Sequence, residues 1–351
     1  MSAPLYISLD EALELIAPYG MSLKNGNSNH APMVAEALCA MGRPEAVLPW
    51  IERYQERMAP RPPAAERIAD DSWHEALGRR ERFGDWSAYF SEELQQAAWR
   101  EILDRWVGRL AAGFCAAATH GPIRVGHAVR ALAECETPAR RRELADALAG
   151  WATAWQTLPG ARTNSETALP RDAIARIPLV PPNHRKRGNI VSALGALEAF
   201  PAFAAAIGLI DIGGLIAPLV AGLTETFARV YLANAHDVPT TIAFIHGVTS
   251  EAAVGNIVPH IGEATARIAL RYAWQAGCGL YACFGRTPAA ADEVDTPDIS
   301  EADLVARALA NGDEHLIKFT EACLTRHRLL PSPAYPAAAL HAGAIIDRIG
   351  R

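Results

Sequence analysis

Apolar residues return at intervals of three and four along most of this chain, the spacing that gathers them on one face of a helix. Residues 91–119 show it plainly, with Ser91 placed as a cap and acidic residues in the turn that follows. Thr137-Pro138 is a cap and first-turn pair, and it predicts a helix over 137–157. Ser300 with Asp303 opens another helix, and Asp313 a further one running to 325. No alternating run with hairpin turns predicts a strand. The expected class is therefore all-α.

One long stretch breaks the pattern. Residues 158–188 carry Pro159, Pro170, Pro178, Pro181 and Pro182 and end in the basic run His184-Arg185-Lys186-Arg187. They predict an ordered surface connection within a single large helical domain, between halves at about 1–157 and 189–351, with the basic run solvated. Residues 286–299 form a second polar loop of a length that often covers a site. Residues 191–223 are almost wholly apolar, yet Glu198, Asp211, Pro201 and Pro218 interrupt them. A bilayer needs about 20 unbroken apolar residues, so the expectation is a pair of buried central helices and no membrane contact.

Composition narrows the function. Half of the 351 residues are hydrophobic and 21% are charged, enough to fill a sizeable core. A net charge of -6 argues against a nucleic-acid partner, whose phosphates need a basic excess. Six cysteines occur without a CxxC pair, five of them in apolar stretches, which reads as buried thiols of a reducing cytoplasm. The acidic N-terminus does not read as a signal peptide. GxGxxG, Walker, GxSxG and HExxH motifs are all absent, and no His has a Glu three positions before it. A helical metal enzyme built on this chain would need another ligand set.

The histidines supply one. His30 follows the capping pair Ser28-Asn29, and His315 follows Asp313, so both fall in first turns. His120 and His246 each precede a glycine at an expected helix end, where terminal carbonyls favour a cation. Imidazole suits Fe, Zn, Cu or Ni. Each of these residues could equally be a cap or a satisfied core histidine. His127 lies about two turns beyond His120 on the same face, far for sharing one ion, and could support a ligand or meet substrate. His236 is a weaker member of the group. Lys318 is unusual because the chain holds 33 Lys plus Arg and only Lys24, Lys186 and Lys318 are Lys. A desolvated lysine can become a neutral amine, which arginine cannot. The plain alternative is a snorkelling Lys318 paired with Glu314 or Glu321.

The strings SNHAPM, THGPIRVGHAVRA, FIHGVTS and DEHLIKFTEACL resemble the questin oxidase-like family, which includes fungal oxygenases that open anthraquinone rings. The resemblance runs from about residue 28 to 325. It implies a flavin-free, non-haem Fe2+ oxygenase with His30, His120, His246, His315 and an N-carboxylated Lys318 as metal ligands. Either His127 or His236 could replace one of them. His127 and Lys318 are its expected catalytic residues. The carbamate would turn a cation into an anionic oxygen donor near the positive end of the helix begun at Asp313.

The implied partners are O2 and a small aromatic or quinone-type molecule, oxidised in a Baeyer–Villiger-like or C–C-cleaving manner. NADPH has no motif here, although a reductant is compatible with the chemistry. The short, Arg- and Ala-rich chain looks bacterial, so an anthraquinone substrate does not carry over. Phe114, Phe244 and the 191–223 segment are candidate pocket walls, or simply core. Two other readings use the same residues: a Zn2+-dependent hydrolase with metal-bound water as nucleophile, and a non-enzymatic helical binding protein. The oligomeric state is left open.

Overall fold

The computed structural model describes residues 6–161, 167–186 and 188–347. It is all-α apart from one short antiparallel strand pair. The chain divides into two compact units, Met1–Gln156 with Asn256–Thr265, and Thr157–Gly255 with Ala266–Arg351.

The first unit opens with α1 (Ile7–Ile16), α2 (Ala31–Ala40) and α3 (Val47–Tyr54). Between them β1 (Tyr19–Leu23) pairs with β2 (Met58–Pro60), Tyr19 opposite Pro60 and Leu23 opposite Met58. Segments of five and three residues are too short for alternation to announce them, and the sequence does not predict this pair. Four helices complete the unit: α4 (Phe83–Gln96), α5 (Trp99–Leu110), α6 (His120–Glu134) and α7 (Pro138–Thr153), with α7 packed against both α4 and α6. Trp86 and Phe90 of α4 and Trp106 of α5 are fully buried and pack ring on ring. Each such side chain contributes about 1.5–3 kcal/mol by leaving water.

The helix expected over 91–119 is in fact two. Ser91 lies inside α4 and donates its hydroxyl to the Ser87 carbonyl at 2.7 Å instead of capping. Ala97 and Ala98 are extended and separate α4 from α5. Alanine carries no breaking signal, so the interruption was invisible. The helix expected from 137 starts as read: Thr137 accepts a bond from the Arg140 amide at 3.3 Å and Pro138 fills the first turn. At Gly121 an added Cβ would lie 2.9 Å from Cγ of Trp151 and 3.0 Å from its Cα, so α6 and α7 approach as only glycine allows. Buried Arg124 grips Glu143 through two bonds of 2.6 and 2.8 Å, tying the same two helices together by charge.

The second unit contains α8 (Pro170–Ala173), α9 (Ile190–Leu194) and α10 (Ile216–Asn234), then α11 (Val238–Ile257) and α12 (Glu263–Phe284), whose facing ends fall in the first unit. α13 (Glu301–Asn311), α14 (Glu314–Leu329) and α15 (Ala334–Ile346) follow, with α15 against α10 and α14. Ser300 caps α13 by accepting from the Asp303 amide at 3.1 Å, and Gly312 ends it in the left-handed region. Asp313 then caps α14, accepting from the amides of His315 and Leu316 at 2.8 and 3.2 Å.

Two expectations fail in this unit. Residues 191–223 are not a pair of buried helices. α9 is only five residues long, tight 3-10 turns follow it through Gly208, and α10 begins at Ile216 behind a Leu215 that is 79% exposed. Pro201 cannot continue a helix from Phe200. α10 is long and apolar enough to cross a membrane, and half of its apolar window is buried inside the fold, as in a core helix. Residues 158–188 are also not purely a surface connection, since Ile174, Ile177 and Val180 are buried and Val180 donates to Ala282. Residues 162–166 and Arg187 of the basic run lie outside the described residues.

Candidate metal centre

Each unit brings histidines together. In the first, Asn29 donates to the Gly20 carbonyl at 2.9 Å and accepts from the Ala31 amide at 3.0 Å, which fixes the entry to α2. His30 sits at that entry, 3% exposed, with its amide donated to the Tyr54 hydroxyl at 3.1 Å. His120 opens α6 rather than ending a helix, so the expected help from terminal carbonyls does not apply. The partial charge at a helix start is positive, and any attraction for a cation must come from the ring itself.

The turn that presents His120 is strained. Ala117, Ala118 and Thr119 have φ of 48°, 59° and 69°. Left-handed backbone costs an L-residue about 1–2 kcal/mol, and Thr119 is β-branched besides. The carbonyl of Ala117 lies 2.6 Å from Nδ1 of His120. A carbonyl only accepts, so the neutral ring keeps its proton on Nδ1 and leaves a lone pair on Nε2. That Nε2 stands 2.8 Å from Nε2 of His30, the rings 4.5 Å apart at 61°. Two nitrogens bound at right angles to one ion at ~2.0–2.1 Å would stand about 3 Å apart.

His127 belongs to a different group. It is 7% exposed and its Nδ1 lies 2.6 Å from a carboxylate oxygen of Glu36 on α2. Arg130 donates to both Glu36 oxygens at 2.7 and 2.5 Å, and the Tyr6 hydroxyl donates at 2.9 Å. Burial works to raise the Glu36 carboxyl, but the charge of Arg130 and the bonds from His127 and Arg130 outweigh it and hold the pKa at about 2. Sequence reasoning passed over Glu36. The available signal was a lone acid inside the apolar run APMVAEALCA.

In the second unit His246 lies within α11, again not at a helix end, and is 2% exposed. Its Nδ1 lies 2.7 Å from the Ile242 carbonyl one turn back, which fixes the same tautomer as in His120. Burial first, then the charges of His315 and Lys318, push its pKa well below 6.5, so the ring is neutral. His315 occupies the first turn of α14 as expected, its ring 5.4 Å from that of His246 and its Nδ1 3.4 Å from the Asp313 carboxylate. Burial tends to raise Asp313, but the bond and charge of His315 and the helix amides hold it below the usual range. Lys318 is 2% exposed and does not snorkel. Burial pulls its pKa down to about 8, against the opposing charges of Glu314 and Asp313. His236 stands apart on an exposed turn, its Nδ1 2.8 Å from the Asn234 carbonyl. Phe114 and Phe244 are core, 1% and 2% exposed.

Sequence reasoning also missed Glu251. It is 1% exposed on α11, and neither carboxylate oxygen has a hydrogen-bond partner. Burial raises its pKa well above 4.5.

Within the first unit, His30 and His120 are candidates for holding a metal ion. The donor chemistry suits one, since His120 and His246 each have Nδ1–H engaged by a backbone carbonyl and Nε2 left as a lone pair, the arrangement usual in metal-bound histidine. Fold and side chains together define an all-α protein with two tautomer-fixed imidazoles, His246 buried and His120 partly so. Residues 27–198 match the questin oxidase-like family model, just under half of the chain. The match is narrower than the motifs suggested: it includes His30, His120 and His127 and ends before His246, His315 and Lys318. No curated protein matches the chain. The family suggests an oxygenase, and hence an oxidoreductase.

Proposed function

We propose that this chain is a non-haem, iron-dependent oxygenase acting on a small aromatic or quinone-type molecule, with His30, His120, His246, His315 and a carboxylated Lys318 as its metal-binding residues. The observation that carries the reading is the His120 ring, with Nδ1 on the Ala117 carbonyl and Nε2 turned to Nε2 of His30 at 2.8 Å. Bound iron would supply the one-electron reactivity toward dioxygen that side chains alone lack.

The protein's own groups have definite tasks. Ala117 and Ile242 hold the imidazole protons of His120 and His246, so neither ligand has to be deprotonated to bind. Asp313 lies beside Nδ1 of His315 and can orient that ring. Lys318 is buried with a pKa of about 8, which leaves a neutral amine fraction near neutral pH. A neutral amine adds to CO2 and releases a proton, replacing a cation with an anionic oxygen donor. Glu36 holds His127 by Nδ1, which suits it for passing a proton from its other nitrogen. The buried thiols fit a reducing cytoplasm.

The test combines metal analysis of the purified protein with oxygen uptake in the presence of simple hydroquinones and naphthoquinols. Iron content with substrate-dependent oxygen uptake supports the reading. A zinc protein that turns over an ester or lactone without oxygen replaces it with the hydrolase.

A further inference from the structure

The left-handed residues before α6 have a pattern of their own. Among the described residues, the non-glycine positions with positive φ are Ala117, Ala118 and Thr119, consecutive and ending at His120. Such positions usually fall to glycine, asparagine or aspartate, one at a time. Here two alanines and a threonine hold them, 8%, 7% and 0% exposed. In a right-handed helix the Ala117 carbonyl would point along the axis to the amide of Gly121. In the structure that amide goes instead to Ala116 at 3.4 Å, while the Ala117 carbonyl accepts from the His120 amide at 3.4 Å and faces Nδ1 of the His120 ring at 2.6 Å. The unusual backbone and the ring's tautomer are therefore one feature.

We propose that Ala117–Ala118–Thr119 is a positioning turn whose left-handed backbone sets the tautomer and aim of His120 toward a metal ion. The inference rests on the metal reading above. The turn competes with a relaxed, right-handed form that points the same carbonyl elsewhere, and metal binding draws on the left-handed population alone. Glycine at 118 removes the penalty without removing the carbonyl. Valine at 118 increases the penalty.

The experiment uses the full chain freed of metal by chelation, with Ala118→Gly and Ala118→Val variants. Three quantities are read: the melting temperature of the metal-free protein, Zn2+ affinity by competition titration, and the His120 tautomer from 15N shifts of histidine-labelled protein. The expected result is a Gly variant that melts above wild type, keeps the Nδ1–H tautomer and binds Zn2+ at least as tightly. The Val variant is expected to bind at least tenfold more weakly and to lose that tautomer. A Gly variant that melts lower than wild type overturns the proposal, as does a folded Val variant whose affinity stays within twofold. If the Val variant does not fold, the Gly arm decides alone. If wild type itself binds no metal, the proposed function fails, while the tautomer and melting arms still report on the turn.

Discussion

Lys318 is a cation on a flexible arm in a place water does not reach, and its pKa of about 8 measures what that costs the charge. Replacing it separates its candidate roles. Lys318→Met removes the charge at similar volume, so it should fold, melt at or above the metal-free wild type and carry no metal. Lys318→Arg keeps a charge it cannot shed and should melt lower and also carry none. Elemental analysis and thermal melts check both, and full metal occupancy in the Met variant would sink the ligand role. Glu251 poses the opposite electrostatic case. Its folded pKa lies well above 4.5 because burial penalises the carboxylate. Its contribution to stability is complete below about pH 4.5 and is lost as pH rises through the folded value, at about 1.4 kcal/mol per unit. Glu251→Gln has no proton to lose, so its advantage over wild type should grow from pH 5 to pH 7 in urea titrations. Parallel stability curves for the two proteins would remove the claim.

Among the elements, the α6–α7 contact at Gly121 lies one residue from His120 and bears on where it sits. Gly121→Ala drives a methyl group to within about 3 Å of Trp151 backbone and ring, and overpacking of this kind costs about 1–3 kcal/mol. The expected outcome is a lower melting temperature together with weaker metal binding, measured on the same sample. Sequence showed helix starts where a side chain does the capping: Thr137, Ser300 and Asp313 all cap as read. It failed where backbone alone decides. The break at Ala97–Ala98 and the left-handed run through Ala117 and Ala118 use the residue type least associated with either. His120 and His246 were not legible as positions, since both were assigned to helix ends they do not occupy.

For the molecule as a whole, the helical class was legible because the apolar spacing persists through most long segments, and the single strand pair was too short to show. The apolar run 191–223 misled because composition records burial on average, whereas Pro201 and the exposed Leu215 decide the local path. Glu36 and Glu251 escaped notice because a single acid in an apolar helix looks like a surface residue until a partner, or the lack of one, is seen. One further property follows from the six sulfurs. Cys39, Cys115, Cys278, Cys283 and Cys323 are buried, and only Cys135 is exposed. Burial also raises the thiols of Cys39, Cys115 and Cys283 to about 12, so they are poor nucleophiles while the chain is folded. A maleimide should therefore attach once to the native protein and six times in denaturant, and the mass of the adduct becomes a native gauge of how much of any preparation is folded.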